Sequence, residues 1–339
     1  MVRLGVIGTG YMGRDHCNTI MNKLSDCKLQ GVADANIELA KKVAEQYNVT
    51  CYESPEALIK SDDIDAVIVV TPGWIHAENV LMALEYNKYV FCEKPLSDKA
   101  ESCKKIVEAD MSKGKRMVQV GFMRRYDKGY NQMKKVIDGK ELGEPLMIHC
   151  THRCPQMYGY FSKKMHVTDC LIHEIDLLHW LVDDEYESVM MLAPRKSKYS
   201  QTEGCQIERD PQMMLIKTKK GVIAEVEAFV TCQFGYDIQC EVVCDEGTVK
   251  LPDPSFPPIR KAGQNSVGLE TDWTLRFVDA YPVELQEFVN NVNKNVGLGG
   301  PSAWDGYIAS LTADKCIEAQ ETPGVFYNVN LPATPEFYK

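Results

Sequence analysis

The chain of 339 residues has no apolar run near the roughly 18 residues that a membrane-spanning helix needs. Its best continuous run, Ala66–Val70, is only strand-sized. Positive charge is not in excess either. Lys+Arg 38 against Asp+Glu 48 leaves a net charge of −10, which argues against nucleic acid or an anionic membrane surface as a partner. No two cysteines have C-x-x-C spacing, and Cys150/Cys154 and Cys240/Cys244 are four apart, so no zinc knuckle is encoded. A signal peptide is not expected, because Met1-Val2-Arg3-Leu4 runs straight into a glycine-rich turn. The 13 cysteines are therefore expected to remain thiols in a reducing, cytoplasmic compartment. Internal repeats and low-complexity tracts are absent as well.

What is present is an ordinary globular composition, 45% hydrophobic and 25% charged, with length for two domains. Through residue 121, short Val/Ile-rich runs alternate with helical patterns. The runs are Val2–Ile7, Leu29–Ala33, Ala66–Val70, Tyr89–Cys92 and Met117–Val120. Between them lie Asp15–Leu24, Ile37–Tyr47, Pro55–Lys60, Ile75–Tyr86 and Ala100–Lys113. Continuous apolar strands alternating with helices predict an α/β domain with a doubly wound parallel sheet over residues 1–121.

From residue 122 the texture changes. A helix over 125–140, a strand over 146–152 and a strong helix over 168–182 are followed by strands near 187–192, 212–219, 222–230 and 237–244. Turn signals at Lys219-Lys220-Gly221 and Asp245-Glu246-Gly247 join them, so residues 122–339 are expected to form an α+β domain with an open, mainly antiparallel sheet. Residues 252–268 read as a loop, and helices near 281–294 and 302–320 close the chain.

Gly8-Thr9-Gly10-Tyr11-Met12-Gly13 spells G-x-G-x-x-G between the first strand and the first helix, and Asp34 ends the next strand. Alone the glycines say little; this context makes them a dinucleotide site. Gly8 permits the tight turn, Gly10 lets backbone approach a pyrophosphate, and Gly13 lets helix and strand pack closely. The helix N-terminus offers its unpaired N–H groups to the phosphates. A carboxylate at Asp34 accepts from ribose hydroxyls and repels a 2′-phosphate, which favours NAD over NADP. Asp34 also reads as a helix N-cap, a role Asn36 could take instead.

Cys92-Glu93-Lys94-Pro95-Leu96 places Lys94 at the carboxyl edge of the sheet, the ligand side of open α/β folds. In the helix over 168–182, Leu171, Ile175, Leu178 and Val182 form one stripe at about 100° per residue. Asp169, His173, Asp176 and Trp180 form another, and Asp169 and His173 are spaced to meet. Residues 167–182 hold no Lys or Arg and only one Glu, a poor solvated face. His-Glu-x-x-His fails as a metal motif because residue 177 is Leu. With NAD, this set suits oxidation of a secondary alcohol. His173 takes the hydroxyl proton, Asp169 orients the ring, and Lys94 steadies the developing charge. A desolvated Lys94 is the alternative base.

Together the N-terminal glycine pattern, Glu93-Lys94-Pro95 and Asp169-x-x-x-His173 resemble the Gfo/Idh/MocA oxidoreductase family over essentially the whole chain. Three longer stretches resemble its inositol-oxidising branch: 120–127, 171–176 with Trp180-Leu181, and 300–307. The resemblance implies a Rossmann domain beside an open-faced sheet domain that supports dimer or tetramer contacts. It also implies a cis peptide at Lys94-Pro95 and a catalytic trio of Lys94, Asp169 and His173. Arg124, His152 and Tyr236 would contact ring hydroxyls. Thr71, Pro72 and His76 would line the nicotinamide or ribose side, and Glu93 and Lys94 would adjoin the cofactor. The expected substrate is a small neutral polyol, with a related sugar, another cyclitol or a non-catalytic regulatory role as alternatives. One departure stands out. Where the branch commonly has Asn, this chain has Cys154, a weak hydrogen-bonding group placed to alter how one hydroxyl is read.

Overall fold

A computed structural model describes residues 1–155, 161–201 and 209–339. It divides into two compact units, each assembled from separate stretches of chain. The first holds Met1–Tyr126, Asp279–Ser310 and Pro332–Lys339; the second holds Asp127–Val278 and Leu311–Leu331. The sequence pattern gives contiguous blocks at 1–121 and 122–339, because periodicity carries no record of a late helix returning to an early domain.

In the first unit β1 (Val2–Ile7), α1 (Tyr11–Asn22), β2 (Cys27–Ala33), α2 (Ile37–Tyr47), β3 (Thr50–Cys51) and α3 (Pro55–Lys60) make one half. The other half is β4 (Ala66–Val69), α4 (Gly73–Glu85), β5 (Tyr89–Glu93), α5 (Ala100–Ser112) and β6 (Val118–Gly121). The sheet order is β3-β2-β1-β4-β5-β6 with every pair parallel, the doubly wound nucleotide-binding order. All four residues of β4 and all five of β5 are buried, as a sheet covered on both faces requires. The two-residue β3 is too short to leave a hydrophobic signature, and the sequence reading misses it.

The second unit contains α6 (Lys128–Asp138), β7 (Pro145–Arg153), α7 (Ile172–Val182), β8 (Tyr186–Leu192), β9 (Gln212–Thr218), β10 (Ile223–Phe229), β11 (Asp237–Cys244) and β12 (Thr248–Lys250). A small hairpin, β13 (Ile259–Lys261) and β14 (Gln264–Ser266), and α8 (Trp273–Arg276) follow. Pairing thus interrupts the loop expected over 252–268. Next come α9 (Ala280–Lys294) of the first unit and α10 (Ala303–Glu321), whose residues divide between the units. Last is β15 (Tyr327–Asn328), in the second unit. The seven-stranded order is β12-β11-β7-β10-β9-β8-β15, antiparallel throughout except where β10 runs parallel to β7.

Period-two alternation sets the two faces of this sheet. Ile148, Cys150 and His152 of β7 are buried beside Ala224, Val226 and Ala228 of β10. The opposite face carries the pairs His149–Glu225 at 3.1 Å and Arg153–Glu227 at 2.6 Å.

The helix expected from Thr168 starts differently. Residues His166–Leu171 form a wider π-helical turn before α7 begins at Ile172. A uniform 100° per residue therefore does not describe the chain from Asp169 to His173. Such bulges inside helices mark functional positions more often than chance.

Candidate active site

The glycine turn follows β1 at the switch point between β1 and β4. Gly8 has φ +100°, and a Cβ there would lie 2.5 Å from the Val70 carbonyl oxygen. A Cβ on Gly13 would fall 1.9 Å from the Gly8 oxygen, so neither position admits a side chain. Gly10 caps α1 without a side-chain partner, and a Cβ there would meet nothing within 4 Å. Space is thus left beside Gly10 at the start of α1, where a pyrophosphate would approach the backbone of a helix N-terminus. Tyr11 is exposed and Met12 half-buried at the mouth of this turn, while Thr9 is buried.

Asp34, at the end of β2, accepts from the Thr9 N–H at 2.6 Å and the Thr9 hydroxyl at 2.9 Å. Its other oxygen accepts from the Asn36 N–H at 2.8 Å. Asn36, not Asp34, caps α2 by accepting from the Leu39 N–H. The carboxylate is thus held beside the glycine turn, where ribose hydroxyls of an adenine dinucleotide would lie. These residues fit NAD.

Across the switch point, Thr71 and Pro72 lead into α4, and the Thr71 hydroxyl is buried with no partner among the described residues. His76 is buried, with Nδ1 2.7 Å from the Pro95 carbonyl and Nε2 2.6 Å from the Thr71 carbonyl. Burial lowers its pKa, while the two carbonyl bonds oppose that shift. A neutral ring has one N–H and can donate to only one of them at a time. His76 thus ties the Thr71 and Pro95 loops together.

Glu93 ends β5, with Oε1 2.8 Å from His16 Nε2 and Oε2 accepting from the Lys94 N–H at 3.2 Å. Both of its oxygens are engaged within the protein. Lys94 is half-buried and its peptide to Pro95 is cis. Arg124, almost wholly buried, sits in a short 3₁₀ turn just after β6.

In the second unit four expected residues meet: His152 near the end of β7, Cys154 just beyond it, His173 on α7 and Tyr236 just before β11. His152 donates from Nδ1 to Glu174 at 2.9 Å, with both side chains buried. Its ring centre lies 6.3 Å from that of His173 and 6.2 Å from that of Tyr236, and its side chain hydrogen-bonds with Cys154. Burial disfavours charge on His152, yet the Glu174 carboxylate and Cys154 outweigh it and push its pKa up to about 9. The raised pKa favours the charged imidazolium over the neutral ring. Tyr236 is positioned through its own N–H, donated to the Glu270 carbonyl at 2.7 Å. Asp169 is half-buried in the π turn, and His173 lies in the first turn of α7. Glu174 escapes a sequence reading because its partner is 22 residues away on a strand. His16 escapes it because Glu93 is 77 residues away.

Residues 2–122 match the oxidoreductase family with NAD-binding Rossmann fold, and residues 134–327 match its C-terminal alpha/beta domain. The chain belongs to the Gfo/Idh/MocA oxidoreductase family. It is 48% identical to the inositol 2-dehydrogenase/D-chiro-inositol 3-dehydrogenase of Shouchella clausii, covering 100% of this chain and 97% of that protein. It is 47% identical to the inositol 2-dehydrogenase of Pseudomonas fluorescens, covering 99% of each. Among solved structures it is similar to myo-inositol dehydrogenase from Lactobacillus casei, in complex with NAD(H) and myo-inositol. That match has a TM-score of 0.96 and 39% identity over the full length of both chains. Membership accounts for the parallel nucleotide-binding sheet and the second, mostly antiparallel sheet.

Proposed function

We propose that the chain oxidises a ring secondary alcohol of an inositol, myo-inositol in the first instance, to the ketone 2-keto-myo-inositol. The observation that carries this reading is the 48% identity to an inositol 2-dehydrogenase across the whole chain. Bound NAD supplies the hydride acceptor. The protein's own residues manage the proton and the hydroxyls. His173 takes the proton of the reacting hydroxyl, Asp169 orients its imidazole, and Lys94 hydrogen-bonds the oxygen as charge develops. His152, Arg124 and Tyr236 contact ring hydroxyls. Cys154, bonded to His152, adjusts which isomer is accepted.

The protein works as a homo-oligomer, a dimer or tetramer, in the cytoplasm. Support for assembly comes from the outer face of the seven-stranded sheet, where Met147 and Ile223 are exposed on paired strands. No helix among the described residues is long and apolar enough to cross a membrane.

The test mixes purified protein and NAD with myo-inositol, scyllo-inositol or glucose and follows reduced nicotinamide by absorbance. Turnover on an inositol, lost in folded Lys94→Ala, is expected. Turnover on glucose alone would move the substrate to a sugar, and silence on all three would sink the reading.

A further inference from the structure

Lys94 leaves a segment gripped on both sides by a buried histidine. On the far side, His76 faces the Pro95 carbonyl. On the near side the grip passes through Glu93. One carboxylate oxygen accepts the Lys94 N–H and the other meets His16. We propose that His16 is a positioning residue for Lys94, fixing the Glu93 carboxylate that holds the Lys94 N–H and thereby the course of the backbone from which the lysine departs. The inference rests on the inositol-oxidation reading and concerns the same site.

Three observations favour this over a merely structural pair. First, the His16 ring is wholly buried, edge-on to Phe91 at 5.9 Å and Tyr281 at 6.0 Å. Its Nδ1 makes no hydrogen bond among the described residues. A buried polar pair, taken whole, gives little net stability over an apolar replacement of both partners. What the imidazole adds is one bond, to Glu93.

Second, space is kept for the carboxylate. Gly121 of β6 lies directly opposite Glu93 in the parallel register, and a Cβ there would come 3.1 Å from Glu93 Oε2. Third, His16 lies on α1, the helix opened by the glycine turn. One carboxylate therefore joins the phosphate-binding helix, β5 and the Lys94 amide. The helix that receives the pyrophosphate thus sets the origin of the lysine that meets the substrate. Misplacing a reacting group by about 1 Å can cost on the order of a hundredfold in rate, so a fixed origin has catalytic value.

The experiment compares the full-length protein with His16→Leu, which removes the bond, and His16→Gln, which keeps a donor at similar reach. Readouts are kcat and KM for myo-inositol and NAD, NAD affinity by calorimetry, melting temperature, and hydrogen exchange of the peptide spanning residues 92–98. In His16→Leu, kcat should fall about tenfold or more, with NAD affinity held within about threefold. Exchange of the 92–98 peptide should rise, and His16→Gln should recover most of both effects. An unchanged exchange rate in a folded His16→Leu protein would overturn the inference whatever the substrate proves to be. So would a kcat equal to that of the unaltered protein, or a loss confined to melting temperature. Failure of the unaltered protein on inositols bears on the functional reading, while hydrogen exchange still decides the role of His16.

Discussion

His152 on β7 and Glu174 on α7 form a buried pair, Nδ1 to carboxylate oxygen at 2.9 Å, and the pair fixes the charge of the histidine that faces His173 and Tyr236. An imidazolium donates from both nitrogens and accepts at neither. With Nδ1 committed to Glu174, the charged ring acts only as a donor toward the rest of the cluster.

Glu174→Gln should return the His152 pKa toward the ordinary histidine range, read by NMR titration of the ring. The sign for stability follows from the raised value. A native pKa of about 9 against about 6.5 unfolded gives stabilisation that is full below pH 6.5 and lost as pH rises to 9. It amounts to something on the order of 3 kcal/mol. Denaturant unfolding across that window should show the decline in the unaltered protein and a flatter profile in Glu174→Gln. Equal slopes in both would refute the assignment.

Asp34→Ala should weaken discrimination between NAD and NADP. The carboxylate repels a 2′-phosphate, and its loss also frees the Thr9 N–H and hydroxyl it now accepts from. We expect KM for NAD to rise about tenfold, the loss of charge-assisted hydrogen bonds, while NADP begins to support turnover. Retention of the full NAD preference would place discrimination elsewhere.

Asp305 opens α10 in a reciprocal cap. Ser302 donates its N–H at 2.7 Å and its hydroxyl at 2.6 Å to one carboxylate oxygen, and the Asp305 N–H returns to the Ser302 hydroxyl. Arg125 holds the other oxygen at 2.9 Å. Burial alone would raise the Asp305 pKa, but Arg125 and the Ser302 bonds bring it down to about 2. A depressed carboxylate stabilises above its unfolded pKa, near 4, and the contribution, about 2 kcal/mol, is lost as pH falls through 2. Asp305→Asn should therefore narrow the stability gap to the unaltered protein as pH drops from 4 to 2. A gap constant across that range would count against the argument.

Cys154→Asn gives the position a strong donor and acceptor in place of a weak one. The ratio of kcat/KM between myo-inositol and its isomers should shift by about tenfold, the value of one well-made hydrogen bond to substrate. Unchanged ratios with intact folding would show that Cys154 does not read the ring.

The sequence by itself determined the nucleotide half almost completely. Its information is local there: a strand, a turn only glycine can make, a helix and an acid at the next strand end all lie within 34 residues. The apolar pattern likewise determined the five longer strands of the second sheet and the burial of the α7 stripe, while β12 and β15, three and two residues long, left no signal. Only the tertiary structure decided what the charged groups do. Asp34 is a held carboxylate because Asn36 takes the cap, Glu93 meets His16 across 77 residues of chain, and His152 gains its charge from a helix packed on its strand. The π turn before α7 and the return of α9 to the first unit are equally invisible to periodicity. A hydrogen bond or an ion pair depends on distance in space and on burial, and neither is written in the spacing of residues along the chain.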